Sequence, residues 1–176
     1  MLAPNTPTYV SLSAEAGTSL AGGANTSDNV IVDATGVPGG TTVTTSATVS
    51  AIDPITGNPV AGSGVSVPIN ISIPPPAMVL DTTTLTYTTT VGVNPSPQSV
   101  NLTNTGGDGL TWMAGTPSQT WLTLGLTQGS NNANVTTPIP FKVDVTGLTS
   151  GSYTATVTIT PSVGAAQTVT VTLTIN

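Results

Sequence analysis

Residues 141–175 read FKVDVTGLTSGSYTATVTITPSVGAAQTVTVTLTI. Phe141, Val143 and Val145 alternate with Lys142, Asp144 and Thr146, and Gly147 ends the run. Tyr153, Ala155, Val157 and Ile159 then alternate with threonines, as do Val169, Val171, Leu173 and Ile175. An apolar residue at every second position turns one face to a core and the other to water, the pattern of a half-buried β-strand. Val, Ile and Thr, branched at Cβ, hold extended backbone well.

Working upstream, the same alternation recurs in short runs. Leu85, Tyr87, Thr89 and Val91 form one; Val100 and Leu102, then Leu110 and Trp112, form two more; Leu122, Leu124 and Leu126 form a fourth. Seven strands over roughly 100 residues, separated by Gly- and Pro-containing turns, predict a β-sandwich of the immunoglobulin type. No stretch shows helical periodicity.

The first part of the chain repeats the later part of this pattern. Val32-Asp33-Ala34-Thr35-Gly36-Val37 matches Val143-Asp144-Val145-Thr146-Gly147-Leu148, and Tyr9-Val10-Ser11-Leu12 matches Trp121-Leu122-Thr123-Leu124. Gly17 matches Gly129, and Val65, Val67, Ile69 and Ile71 match Val169, Val171, Leu173 and Ile175. Internal repeats of this extent mark repeated structural units. Residues 79–116 hold three strands before Trp121, whereas only eight residues precede Tyr9. The first unit therefore lacks counterparts of those strands. The expected fold class is all-β: two immunoglobulin-like β-sandwich units, the first incomplete. Pro74-Pro75-Pro76 favours a stiff extended segment, so the expected division is 1–73, a linker at 74–76, and a complete seven-stranded unit at 77–176. A half sandwich leaves an apolar face and a strand edge open, and something must cover them.

Composition bounds the chemistry. The 176 residues include no Cys, no His and one basic side chain, Lys142, against seven acids, for a net charge of −6. A phosphate binder needs clustered Lys or Arg, so nucleic acid is not an expected partner, and neither is a basic membrane-binding surface. No run of 18 apolar residues is present, so no transmembrane helix is expected. The opening Met-Leu-Ala-Pro lacks a signal-peptide pattern, so either a signal was removed or the start is artificial. Scarce charge with positive mean hydropathy argues for a folded chain rather than a disordered one. Scarcity of Lys and Arg also removes trypsin-type cleavage sites, which suits an extracellular or cell-surface location.

Without His or Cys, neither a Ser/His/Asp nor a Cys/His arrangement can be built. The acids are scattered, mostly at turns and strand ends; no catalytic residue, no metal ligand set and no cofactor is expected, and Asp33 and Asp144 before Thr-Gly read as turn formers. Lys142, between inward Phe141 and Val143, should point to solvent. Trp112 and Trp121 are the candidate ligand-stacking residues; their places in alternating strands fit a core role better. Asn25, Asn70, Asn101 and Asn134 open N-x-Ser/Thr sequons and are the candidate glycosylation sites.

The second unit resembles the BACON domain, an immunoglobulin-like module of secreted and surface bacterial proteins. The resemblance rests on Ser99-Val100-Asn101-Leu102-Thr103-Asn104 with Gly106, Leu110-Thr111-Trp112, Trp121-Leu122, Gly129, Val143-Asp144-Val145-Thr146-Gly147-Leu148 and Gly151-Ser152-Tyr153. It implies a binding or spacer role, with carbohydrate or mucin as the ligand class proposed for such modules, and carries over no catalytic motif. The leading expectation is a self-assembling structural protein of the cell surface, a filament or layer whose partner is another copy of itself. The alternatives are a carbohydrate-binding module with glycan partners and a spacer from a longer repeat protein.

Overall fold

The computed structural model describes residues 10–12, 29–33, 38–53, 55–61, 63–107 and 109–176. The described elements are all strands, and the chain is all-β. It divides into two compact units, Met1–Val37 with Thr41–Ile73, and Pro38–Gly40 with Pro74–Asn176.

Among the described residues the second unit holds nine strands where the alternation predicts seven. Two are added: β5 (Met78–Leu80), too short to show a period, and β10 (Gln128–Asn131), polar throughout. The others are β6 (Thr84–Thr89), β7 (Gln98–Asn104), β8 (Leu110–Ala114), β9 (Leu122–Leu124), β11 (Thr136–Val143), β12 (Gly151–Pro161) and β13 (Gln167–Ile175). They form a five-stranded sheet, β10-β8-β12-β13-β6, and a four-stranded sheet, β5-β7-β11-β9. β6 runs parallel to β13, with Val171 opposite Leu85 and Leu173 opposite Tyr87; the other pairings are antiparallel.

Burial follows the alternation. Val169, Val171, Leu173 and Ile175 lie inside with Ala155, Val157 and Ile159, and the facing sheet contributes Val100, Leu102, Ile139, Phe141 and Val143. Two polar devices tie this core together. Tyr87 Oη on β6 donates to the Phe141 carbonyl on β11 at 2.9 Å and accepts from Gln98 N–H at 3.1 Å, linking the two sheets. Tyr153 Oη donates to the Thr149 carbonyl, four residues upstream, at 2.9 Å, the local geometry of a tyrosine corner.

Pro74–Pro76, expected as a linker, is held against the second unit. The Pro74 carbonyl accepts Gly107 N–H at 3.0 Å, and a side chain on Gly106 would collide with the Pro75 carbonyl.

Within the first unit, β1 (Val10–Leu12) pairs with β2 (Val30–Val32), and β3 (Thr42–Val49) pairs with β4 (Val65–Ser72), both antiparallel. The repeat extends to register. Val10 lies opposite Val32 and Leu12 opposite Val30, just as Leu122 lies opposite Val143 and Leu124 opposite Phe141. The link from β3 to β4 closes on Asp53, whose Oδ1 accepts the N–H groups of Ile55 at 2.8 Å and Thr56 at 3.3 Å. Tyr9, Gly17 and the Ala34-Thr35-Gly36-Val37 segment lie outside the described residues.

Candidate functional site: an open sheet in the first unit

The β3–β4 hairpin is cleanly two-faced. Val43, Thr45, Ala47 and Val49 lie opposite Ile71, Ile69, Val67 and Val65; the reverse face carries Thr42, Thr44, Ser46 and Thr48 with Ser72, Asn70, Pro68 and Ser66. In the second unit the matching positions are sealed: Val169 and Val171 are 0% exposed. Here Val65 is 60% and Val67 50% exposed. Val49, and Ile52, Ile55 and Val60 in the link beyond it, are exposed as well. Covering the bare half of a valine side chain is worth about 1 kcal/mol, so several together provide a real drive for association. The alternation in the sequence announces this face; Val43, Ile69 and Ile71 at its other end are half-buried, so the exposed part is the end formed by Val49, Val65 and Val67.

The aromatic candidates lie elsewhere. Trp112 and Trp121 are 2% and 7% exposed, inside the second unit's core. Trp112 Nε1 donates to Asn131 Oδ1 at 3.0 Å, and its ring packs under Gly129, where a Cβ would come within 2.7 Å of it. As interior residues they offer no face for stacking a ligand. Asn131, on β10, also accepts from Thr137 Oγ1 at 3.2 Å and donates to the carbonyls of Val135 at 2.9 Å and Leu102 at 3.3 Å. This buried amide network escapes sequence reading because a lone Asn carries no periodic signal.

The sequons differ in access. Asn101 is half-buried, and its Nδ2 donates to Asp81 Oδ2 at 2.7 Å. Asn70 on β4 is exposed, and Asn134 is exposed in a tight turn at φ 60°. Asn25 lies outside the described residues.

The acids at turns act on backbone. Asp144 Oδ1 accepts Thr146 N–H at 3.0 Å, and the Thr146 side chain and N–H hold its carboxyl below the usual range. Ile55 and Thr56 N–H do the same for Asp53. Lys142 is exposed. Among the described residues no three His, Cys, Asp or Glu side chains gather as a metal site, and no helix is long and apolar enough to cross a membrane. A shallow cleft of the second unit lies between Gly115–Pro117 and Leu122–Leu124, lined mainly by apolar groups including Pro117, Leu122 and Leu124 beside Thr and Gln, without an aromatic ring.

Two packed sheets of five and four strands, with the chain crossing from one to the other between successive strands from β5 to β12, and a tyrosine corner decide the architecture. The second unit is an immunoglobulin-like β-sandwich. No family model matches the sequence, and no curated protein matches it. Likenesses among solved structures are of fold alone. A protein of unknown function from Porphyromonas gingivalis W83 aligns over 98% of this chain and 83% of its own, at a TM-score of 0.46 and 17% identity. The PapD-like domain 7 of human CEP192 aligns over 56% of this chain and 84% of its own, at 0.47 and 12%. A Bacteroides ovatus GH5 xyloglucanase, solved with a XXXG heptasaccharide, aligns over 57% of this chain, at 0.44 and 17%; the match spans 19% of the xyloglucanase.

Proposed function

We propose that this chain is a non-catalytic structural protein of the cell surface that self-assembles, into a filament or layer, by covering its open first unit with another copy. The observation that carries this reading is the contrast between Val65 and Val67, half bare or more, and Val169 and Val171, fully enclosed at matching positions. Contiguous exposed apolar surface on a folded unit marks an association site.

The non-catalytic part is supported by the absence of His and Cys and by carboxylates committed to turns at Asp53 and Asp144. The surface location is supported by the near-absence of Lys and Arg, and kinship with BACON modules by the ordered motifs from Ser99 to Tyr153. In a host that glycosylates, Asn70 and Asn134 are the sequons with accessible side chains, while Asn101 is engaged by Asp81.

Electron microscopy of material isolated without refolding tests the proposal. Regular filaments or sheets support it. A monodisperse monomer at high concentration contradicts it.

A further inference from the structure

Backbone direction decides where another strand can join the hairpin. Ile73 N–H donates to the Thr41 carbonyl at 2.9 Å, and the register pairs Thr42 with Ser72 and Val43 with Ile71. Odd-numbered residues of β3 and β4 therefore bond each other, and even-numbered residues turn their backbone groups outward. On β4 these are Ser66, Pro68, Asn70 and Ser72.

The second unit shows what an open edge accepts. On β13, Thr170 N–H donates to the Thr83 carbonyl at 2.9 Å and Asn176 N–H to the Thr89 carbonyl at 2.9 Å. Thr172 and Thr174, between them, face β6 in the same way. The repeat places Pro68 at the position of Thr172. Proline has no N–H, so β4 lacks one of the four donors that a parallel strand like β6 would need.

The other described edges are short or capped. β1, β2, β5 and β9 span three residues each, and β10 four. The outer edge of β6 is occupied by its own neighbours: Thr82 Oγ1 bonds both the N–H and the carbonyl of Thr84, and Gln98 Nε2 donates to the Thr86 carbonyl at 2.8 Å. β3 is different. It has eight residues, no proline and no charge, and Thr42, Thr44 and Ser46 turn their backbone groups outward.

We infer that two copies of this chain pair β3 to β3, antiparallel about a two-fold axis, and that Pro68 closes the β4 edge so that unit one accepts a single partner strand. An antiparallel pair of identical strands is self-complementary, so one surface suffices. The result is a four-stranded sheet, β4-β3-β3-β4, whose apolar faces lie on the same side. A charged partner strand would bring unpaired charge to an edge that has none, and this chain's β3 matches it in neutrality. The inference rests on the self-assembly reading and names its first contact.

The test is sedimentation of the full chain with three substitutions. Thr44→Pro removes an outward N–H from β3 as Pro68 does from β4; Thr44→Lys keeps the backbone but blunts the edge; Pro68→Thr restores the donor found at Thr172. The expected results are dimers or larger species for the natural sequence, at least tenfold weaker association for both Thr44 variants, and species at least as large for Pro68→Thr. Protection of the Ile73 amide reports that the hairpin is intact; if Thr44→Pro loses it, Thr44→Lys decides. Thr44 variants that associate normally, or a Pro68→Thr chain that associates less, overturn the β3 pairing while leaving self-assembly standing. A natural chain that stays monomeric overturns both.

Discussion

Val67 and Val171 occupy the same place in two copies of one hairpin, yet Val67 is 50% exposed and Val171 not at all. The strands beneath them match in register and alternation. What differs is the cover: β13 faces the β5-β7-β11-β9 sheet and is flanked by β6, whereas β4 pairs only with β3 among the described residues.

The pair gives the first prediction. Val67→Asp places a charge on the open face, where an unassembled chain can hydrate it; assembly should fail while the second unit keeps its stability. Val171→Asp buries a charge with no partner and should destabilise the second unit by more than about 4 kcal/mol. Both tryptophans lie in the second unit, so their fluorescence during denaturant unfolding reports it alone, and light scattering reports assembly.

Tyr87→Phe tests the tie between the sheets. It removes the donor to the Phe141 carbonyl and the acceptor for Gln98 N–H without changing the packed volume. Stranded backbone groups cost about 1–3 kcal/mol, to be read as a lower denaturant midpoint at constant slope.

Gly129→Ala tests the close seat of the Trp112 ring. The added methyl would lie 2.7 Å from the indole, so the ring or β10 must shift. Overpacking of this kind costs about 1–3 kcal/mol. The near-ultraviolet dichroism of the tryptophans should change with the stability, and an unaltered spectrum would argue against that contact.

The pH response follows from the turns. Asp53 and Asp144 are held below the ordinary carboxylate range when folded, so their contribution is complete above the unfolded value, about 4, and is lost as pH falls through the lower folded values. Burial raises Tyr87 above its ordinary value, so stability also falls as pH rises from about 10 toward the folded value. With no His in the chain, the unfolding midpoint should stay flat between about pH 5 and 9. Thermal unfolding across pH checks all three limbs; a transition near pH 6.5 would contradict the account.

Alternation made most of the fold readable, because burying one face of a strand forces period two on the sequence. The runs around Tyr87, Val157 and Val171 correspond to β6, β12 and β13. The same rule overshot at strand ends: Leu126 and Val91 continue the alternation but lie beyond β9 and β6, at 36% and 55% exposure. It was silent on β10, whose single buried side chain is Asn131, fixed by hydrogen bonds rather than by hydrophobicity. The apolar face of the β3–β4 hairpin was readable from its alternation; the exposure of Val65 and Val67 on it was not. The meaning of Pro68 was not, because the side of β4 that lacks a donor depends on register, which only the paired strands reveal.

The most direct measurement is amide hydrogen exchange of assembled and dispersed chain, read on peptic peptides covering Thr42–Val49 and Val65–Ser72, with Gln167–Ile175 as internal reference. Assembly should slow exchange across β3 strongly, and across β4 through burial of its face, while β13 stays equally protected in both forms. If β3 and β4 exchange alike in both forms, the first unit is not where copies of this chain meet.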